Sequence, residues 1–269
     1  MTDSNDPSGQ NKPRLISALR LDERFNAATA VSARTDYFGL TKTLTYSYLF
    51  VLPLFLLYEF GMLILHGMGS NVRIGADVLI RHVLALVGIE STLWFGVLVM
   101  IAGAVIVAVE RRKGIKLKLA WFGGMLAEST VYAIVVGMAV STLVGAVFAA
   151  APPLQIAGTS NMLEGLVLSL GAGLYEELLF RLILVSGLFA ILRLLPISKT
   201  VSYTLAAVIG AIIFSWVHYI GPLGYEFTVS SFVFRALMGL ALNGLFLARG
   251  FGIAAMTHAI YDVIVTIMA

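Results

Sequence analysis

Residues 92–109 read TLWFGVLVMIAGAVIVAV, a run without one ionisable side chain, closed by Glu110, Arg111, Arg112 and Lys113. A helix needs about 20 apolar residues to cross the hydrocarbon core of a bilayer, so this stretch reads as a membrane span. Working outward finds more of the same. Upstream, residues 44–66 (LTYSYLFVLPLFLLYEFGMLILH) give an earlier span, broken by Pro53. Between the two, residues 76–89 are too short to cross and read as an interfacial or re-entrant helix. Downstream, spans are expected within 119–150 and at about 161–184, 200–219, 227–248 and 251–268. Pro152-Pro153, Pro196 and Gly221-Pro222 punctuate the loops, since proline disfavours helix at the residue before it. The expected fold class is all-α: a polytopic transmembrane bundle of about seven spans, or eight if 182–195 forms a separate crossing instead of extending the fourth span.

Composition agrees. Of 269 residues, 59% are hydrophobic and 12% charged, against about 25% charged in an average soluble domain. The chain has no cysteine, which excludes disulfides, cysteine-ligated zinc or iron–sulfur sites and a cysteine nucleophile. The net charge of +3 reports topology here, not a nucleic-acid partner. Residues 1–42 carry six Lys/Arg and five Asp/Glu, so residues 1–43 read as a cytoplasmic polar tail with a surface helix at about 14–31, and 44–269 as the transmembrane domain. The first long apolar run starts too late for a secretory signal peptide. No internal repeat or second domain stands out.

Orientation follows from the cations. With seven spans, the tail, the Arg111-Arg112-Lys113 loop with Lys116 and Lys118, Arg193 with Lys199, and Arg249 all fall on one side. The positive-inside rule makes that side, and the N-terminus, cytoplasmic.

Ionisable groups inside spans are costly to insert, so each is a functional candidate. Glu177 and Arg181 are four residues apart and share a helix face, while Glu176 points about a quarter turn away. One carboxylate is neutralised and the other is left to act as a general base on water. The bland alternative is a buried ion pair that fixes helix packing. His218 follows Phe214 by four residues near the end of the fifth span, where a histidine is more often an interfacial hydrogen-bonding residue. His258 and Asp262, again four apart, suit a metal, an oriented imidazole or a polar latch between helices. Arg235, midway along the sixth span, needs a carboxylate or a polar cavity. Glu128, Glu164 and Glu177 are its candidate structural partners, and a substrate carboxylate is the sharper alternative. Glu59 and Glu164 are polar contacts without an assigned partner. Gly171, Gly173, Gly239 and Gly244 would let helices approach closely.

The order and spacing of EExxxR at 176–181, FxxxH at 214–218 and HxxxD at 258–262 resemble the three motifs of the CPBP family of intramembrane proteases, which includes the type II CAAX prenyl proteases and the bacterial Abi proteins. The resemblance covers about residues 160–269. It implies an endopeptidase that cleaves near a substrate's C-terminus or in a membrane-proximal segment, in which Glu176 and His218 activate water while His258 and Asp262 stabilise the oxyanion or hold a metal. Glu177 and Arg181 are supporting residues. The family pattern accepts Asn or Asp at position 262. An ionised Asp only accepts hydrogen bonds, so Asp262 favours a metal-ligand or histidine-orienting role. A divalent metal such as zinc, held by Glu176, His218, His258 and Asp262, remains the alternative to a metal-free glutamate scheme. HExxH, GxSxG and GxGD motifs are all absent.

The implied partners are a protein or peptide substrate and the lipid bilayer, with no nucleic acid; the composition is at home in a bacterial inner membrane. A non-enzymatic scaffold or immunity protein that keeps the fold is the rival class, and a transporter would be expected to show an internal repeat. No feature identifies a groove for an isoprenoid. Counted from the cytoplasmic ends of the spans, His258 lies about eight residues deep and His218 about eighteen, a mismatch of about 15 Å at 1.5 Å per residue.

Overall fold

The computed structural model describes residues 36–89, 91–112, 114–148, 161–221 and 224–268. By contact density the chain divides into Met1–Leu40 and Thr41–Ala269. In the first unit, Asp36 Oδ1 accepts from Gly39 N at 2.7 Å at the start of a short helix, α1 (Tyr37–Thr41). The surface helix expected at 14–31 lies outside the described residues.

In the second unit, the described residues are helices and connections: α2 (Leu44–Gly67), α3 (Gly75–Ala85), α4 (Thr92–Arg112) and α5 (Leu119–Phe148) come first. A helical run from Met162 to Leu192 follows, and then α8 (Lys199–Val217), α9 (Val229–Arg249) and α10 (Phe251–Met268). The Met162–Leu192 run opens as α6 (Met162–Gly171), widens into π turns over Ala172–Glu176 and Leu178–Val185, and closes as α7 (Ser186–Leu192). Its junction residues Gly171, Glu177 and Ser186 keep right-handed helical angles, so segment 182–195 continues the fourth apolar stretch through Leu192. Among the described residues six helices, α2, α4, α5, α8, α9 and α10, are long and apolar enough to cross a membrane. Short polar caps start several of them. Thr43, Asn161, Ser198 and Thr228 each accept from the backbone N–H three residues on, satisfying a donor that the first helical turn leaves unpaired.

Pro53 lies inside α2 without ending it. It removes one backbone hydrogen bond, a loss that packing against neighbouring helices tolerates in membrane spans. Span α4 is the most apolar of the six and yet the least buried, with 11% of its apolar stretch buried inside the protein. Leu93, Trp94, Ile101 and Val105 stand exposed along it. An exposed apolar face of that size is a liability in water and an ordinary contact with acyl chains. The chain is a multi-pass membrane protein.

Close approaches set the bundle. A methyl group added at Gly173 would lie 2.5 Å from both Ala259 N and Ala259 Cβ, so the first π segment and α10 touch backbone to backbone. Gly171 is pressed by the Tyr58 ring and Gly239 by Phe214, as expected for small residues at helix crossings, whereas Gly244 faces open space. Gly250 turns the chain between α9 and α10 with φ of 84°, a backbone conformation that L side chains rarely adopt. An apolar core joins Tyr58, Met62 and Leu65 of α2 to Val167, Leu168 and Tyr175 of the central run and Ala255 of α10.

Short α3 is held by charge. Asp77 is fully buried and accepts from Tyr58 Oη at 2.8 Å, Arg73 Nη1 at 2.7 Å and Arg81 Nε at 2.5 Å. The stretch expected to be interfacial or re-entrant is thus an 11-residue helix fixed to α2 by its own charged residues.

Candidate active site

Glu176 ends the first π segment and Glu177 follows it, so the two carboxylates diverge. Glu177 Oε1 turns inward, 2.8 Å from Arg181 Nη1 and 2.7 Å from His258 Nδ1, and both Glu177 and Arg181 are completely buried. The Arg181 guanidinium also lies 4.5 Å from the Phe214 ring centroid. The bland reading of this pair therefore describes its geometry. The same carboxylate, however, also fixes the ring of His258, and a carboxylate can only accept, so Nδ1 carries a proton and Nε2 faces away from Glu177.

His218 caps α8, and its Nδ1 lies 2.7 Å from Phe214 O. A carbonyl accepts, so Nδ1 is again the donor and Nε2 is free to face the site. Glu176 Oε2 stands 3.8 Å from His218 Nε2 and 4.0 Å from His258 Nε2. Asp262 Oδ2 is 3.5 Å from His258 Nε2. The structure thus brings together Glu176, His218, His258 and Asp262, with Glu177 and Arg181 behind them. Phe214 packs edge-on against both imidazoles, with ring centroids 4.9 Å from His218 and 6.1 Å from His258.

The depth mismatch between the histidines closes without moving the helix ends: α8 begins at Lys199 and α10 at Phe251, close to the expected bounds. The His218 ring folds back along its own helix toward Phe214, which brings it nearer the level of His258.

Among the described residues, no group of three or more His, Asp and Glu side chains is placed to hold a metal ion. The separations do suit water. Nitrogen-to-oxygen distances of 3.8 and 4.0 Å are too long for direct hydrogen bonds and short enough for one water oxygen to bridge. The four groups open onto a cavity of about 720 Å³, whose walls include Leu168, Leu179, Phe180, Phe234 and Met238.

Arg235 lines this cavity, but none of its three expected partners meets it. Glu128 pairs with Arg249, Glu164 accepts from Ser70 Oγ at 2.7 Å, and Glu177 is held by Arg181 and His258. Arg235 instead donates to Tyr219 Oη and Ser231 Oγ and stacks over Tyr225. No sequence signal pointed to Tyr225 on the cavity wall, to the bond from Tyr175 to Glu59, or to the joining of Glu59, Asp77 and Arg81 into one network. The i, i+4 spacings of Arg73, Asp77 and Arg81 signal only the ion pairs of Asp77.

A helical membrane bundle that gathers two histidines and two carboxylates around a cavity has the make-up of a hydrolytic site. Residues 158–264 match the family model described as type II CAAX prenyl endopeptidase Rce1-like. Over that stretch the chain is similar to the family that its three motifs resemble. No curated protein and no solved structure matches the chain.

Proposed function

We propose that the chain is an intramembrane endopeptidase in which Glu176 activates a water molecule against a peptide bond near a substrate's C-terminus. The observation that carries this reading is the opposition of Glu176 Oε2 to two imidazole Nε2 atoms, at 3.8 and 4.0 Å, at the edge of the cavity. A water bridging Glu176 and His218 donates one hydrogen to each, which leaves an oxygen lone pair for the carbonyl carbon. As the C–O bond forms, Glu176 takes the proton. It later passes that proton to the leaving amine as the C–N bond breaks, so the enzyme returns to its starting state.

The developing oxyanion needs a donor, and His258 supplies one from Nε2 when its ring holds both protons. Carboxylates flank that ring: Glu177 at Nδ1, and Asp262 at 3.5 Å from Nε2. Asp262 accepts only, so its role is to orient and counter-charge His258. Apolar walls limit the water available to the site, which strengthens each of these interactions.

The transmembrane domain of this reading is 44–269, with its hydrolytic core at about 160–269 and the N-terminal tail in the cytoplasm of a bacterial cell. The test is C-terminal peptide mapping of membranes that carry wild-type protein or Glu176→Gln at matched levels. Peptide termini that appear only with wild type establish the endopeptidase and name a substrate. Identical termini from two folded, abundant proteins favour a non-enzymatic scaffold or immunity protein.

A further inference from the structure

The cavity has a direction. Contacts between helix termini mark the two ends of the bundle. At one end Lys42 Nζ donates to Leu247 O at 2.6 Å, Arg249 pairs with Glu128, and Tyr46 Oη donates to Lys116 O and accepts from Lys118 N. These contacts gather the start of α2, the α4–α5 connection and the close of α9. At the other end Ser70 Oγ donates to Glu164 in the first turn of α6, and Tyr219 Oη lies 2.8 Å from Ser231 Oγ, joining the close of α8 to the start of α9. The cavity reaches only this second end. Val72 and Ile74 between α2 and α3, and Ile220, Gly221 and Tyr225 after α8, line it; among the described residues none from the connections at the first end does. His218, the C-cap of α8, stands at the second end itself.

Charge and aromatic rings orient those ends in a bilayer. The first end carries Arg111, Arg112, Lys116, Lys118, Arg193 and Lys199. The second carries Arg73 and Arg81, both paired with Asp77. An excess of Lys and Arg keeps its end in the cytoplasm. At the second end the Phe227 ring lies 6.3 Å from Trp216 and 5.2 Å from Tyr219, and Trp94 stands exposed at the start of α4. Trp and Tyr collect at headgroup level. From this placement we infer that the cavity opens on the extracytoplasmic face of the membrane, at headgroup level, and takes peptide segments that have already crossed. Its substrate class is the outer C-terminal tail or outer juxtamembrane stretch of an exported or membrane-anchored protein. The inference rests on the endopeptidase reading and deepens it by naming the side on which cleavage occurs. A cytoplasmic tail would have to pass the end where helix termini are tied together before it reached Glu176.

The chain has no cysteine, so a single introduced thiol reports alone. Full-length protein carrying Leu179→Cys on the cavity wall, Ile220→Cys at the mouth or Leu117→Cys at the opposite end is prepared in right-side-out and inside-out vesicles of bacterial inner membrane. A membrane-impermeant cationic thiosulfonate should modify Leu179→Cys and Ile220→Cys in right-side-out vesicles, with loss of that labelling in inside-out ones. Leu117→Cys should show the reverse. Modification of Leu179→Cys from the inside-out preparation alone overturns the inference. So does its failure to react from either side while a lipid-soluble maleimide modifies it in both, since the cavity would then open toward acyl chains. If Leu179→Cys does not insert, Ile220→Cys labelled only in inside-out vesicles overturns the inference equally. The peptide termini that distinguish wild type from Glu176→Gln should map to extracytoplasmic segments, and termini confined to cytoplasmic ones overturn the substrate class. Labelling from outside with identical termini would sink the endopeptidase reading while leaving the direction of the cavity standing.

Discussion

Tyr175 Oη donates to Glu59 Oε1 at 2.7 Å, tying the residue before Glu176 to a carboxylate on α2. Glu59 also accepts from Arg81 Nη2 at 2.5 Å, and through Arg81 it connects to Asp77 of α3. The backbone that aims Glu176 is therefore braced from outside the family-matched segment. Tyr175→Phe removes only that hydrogen bond, worth about 1 kcal/mol. The expected outcome is a roughly fivefold fall in kcat with KM unchanged, measured on the substrate found by terminal mapping. A lower unfolding temperature with kcat intact would reduce the contact to a structural one.

Glu177 and Arg181 behave as a unit. Removing either charge alone breaks a fully buried ion pair, at a cost of about 3–5 kcal/mol, so Glu177→Gln and Arg181→Met should each express poorly. The double variant removes both charges and should recover folded protein, measured by monodisperse yield in detergent. It should still fail to cleave, because His258 Nδ1 loses its carboxylate. Recovery of full activity would show that the orientation of His258 is unimportant.

Asp262 discriminates between two roles. If it orients and counter-charges His258, Asp262→Asn retains a hydrogen-bond acceptor and should lower kcat by about tenfold. Asp262→Ala should cost at least as much again. Equal rates in the two variants would argue against any polar role at this position.

Gly173 allows the backbone contact with Ala259. A methyl group there must force the first π segment and α10 apart, which overpacking data put at about 1–3 kcal/mol. Gly173→Ala should lower both the unfolding temperature and activity, because His258 lies one residue from that contact. Gly244→Ala, which meets nothing within 4 Å, should change neither and serves as the control.

The spans were legible because an apolar run declares itself residue by residue, and the polar caps at Thr43, Asn161, Ser198 and Thr228 mark helix starts in the same local way. Glu177 and Arg181 could be paired from sequence because a helix dictates which residues four apart share a face. Arg235 could not be assigned, because nothing in a one-dimensional reading says which helices lie side by side. Its three expected carboxylates belong to other cations or hydroxyls. The brace at Glu59 escaped for the same reason, with its members drawn from α2, α3 and the central run. Counting residues from span ends also separated His218 from His258, since it treats every helix as upright and every side chain as level with its backbone.

The widened turns on either side of Glu177 give this part of the chain a slack in length that plain α turns lack. A π turn accommodates an extra residue relative to an α turn, so loss of one residue between Leu178 and Val185 can be absorbed by reverting to ordinary α geometry. The helix would survive and still fill its place in the membrane. The faces on either side would stay in register, whereas the same deletion in the plain α segment Met162–Gly171 has no such slack and would rotate what precedes it by about 100° relative to Glu176. Single-residue deletions between Arg181 and Val185 should therefore be tolerated better than deletions within Met162–Gly171, a genetic signature of slack stored beside the site.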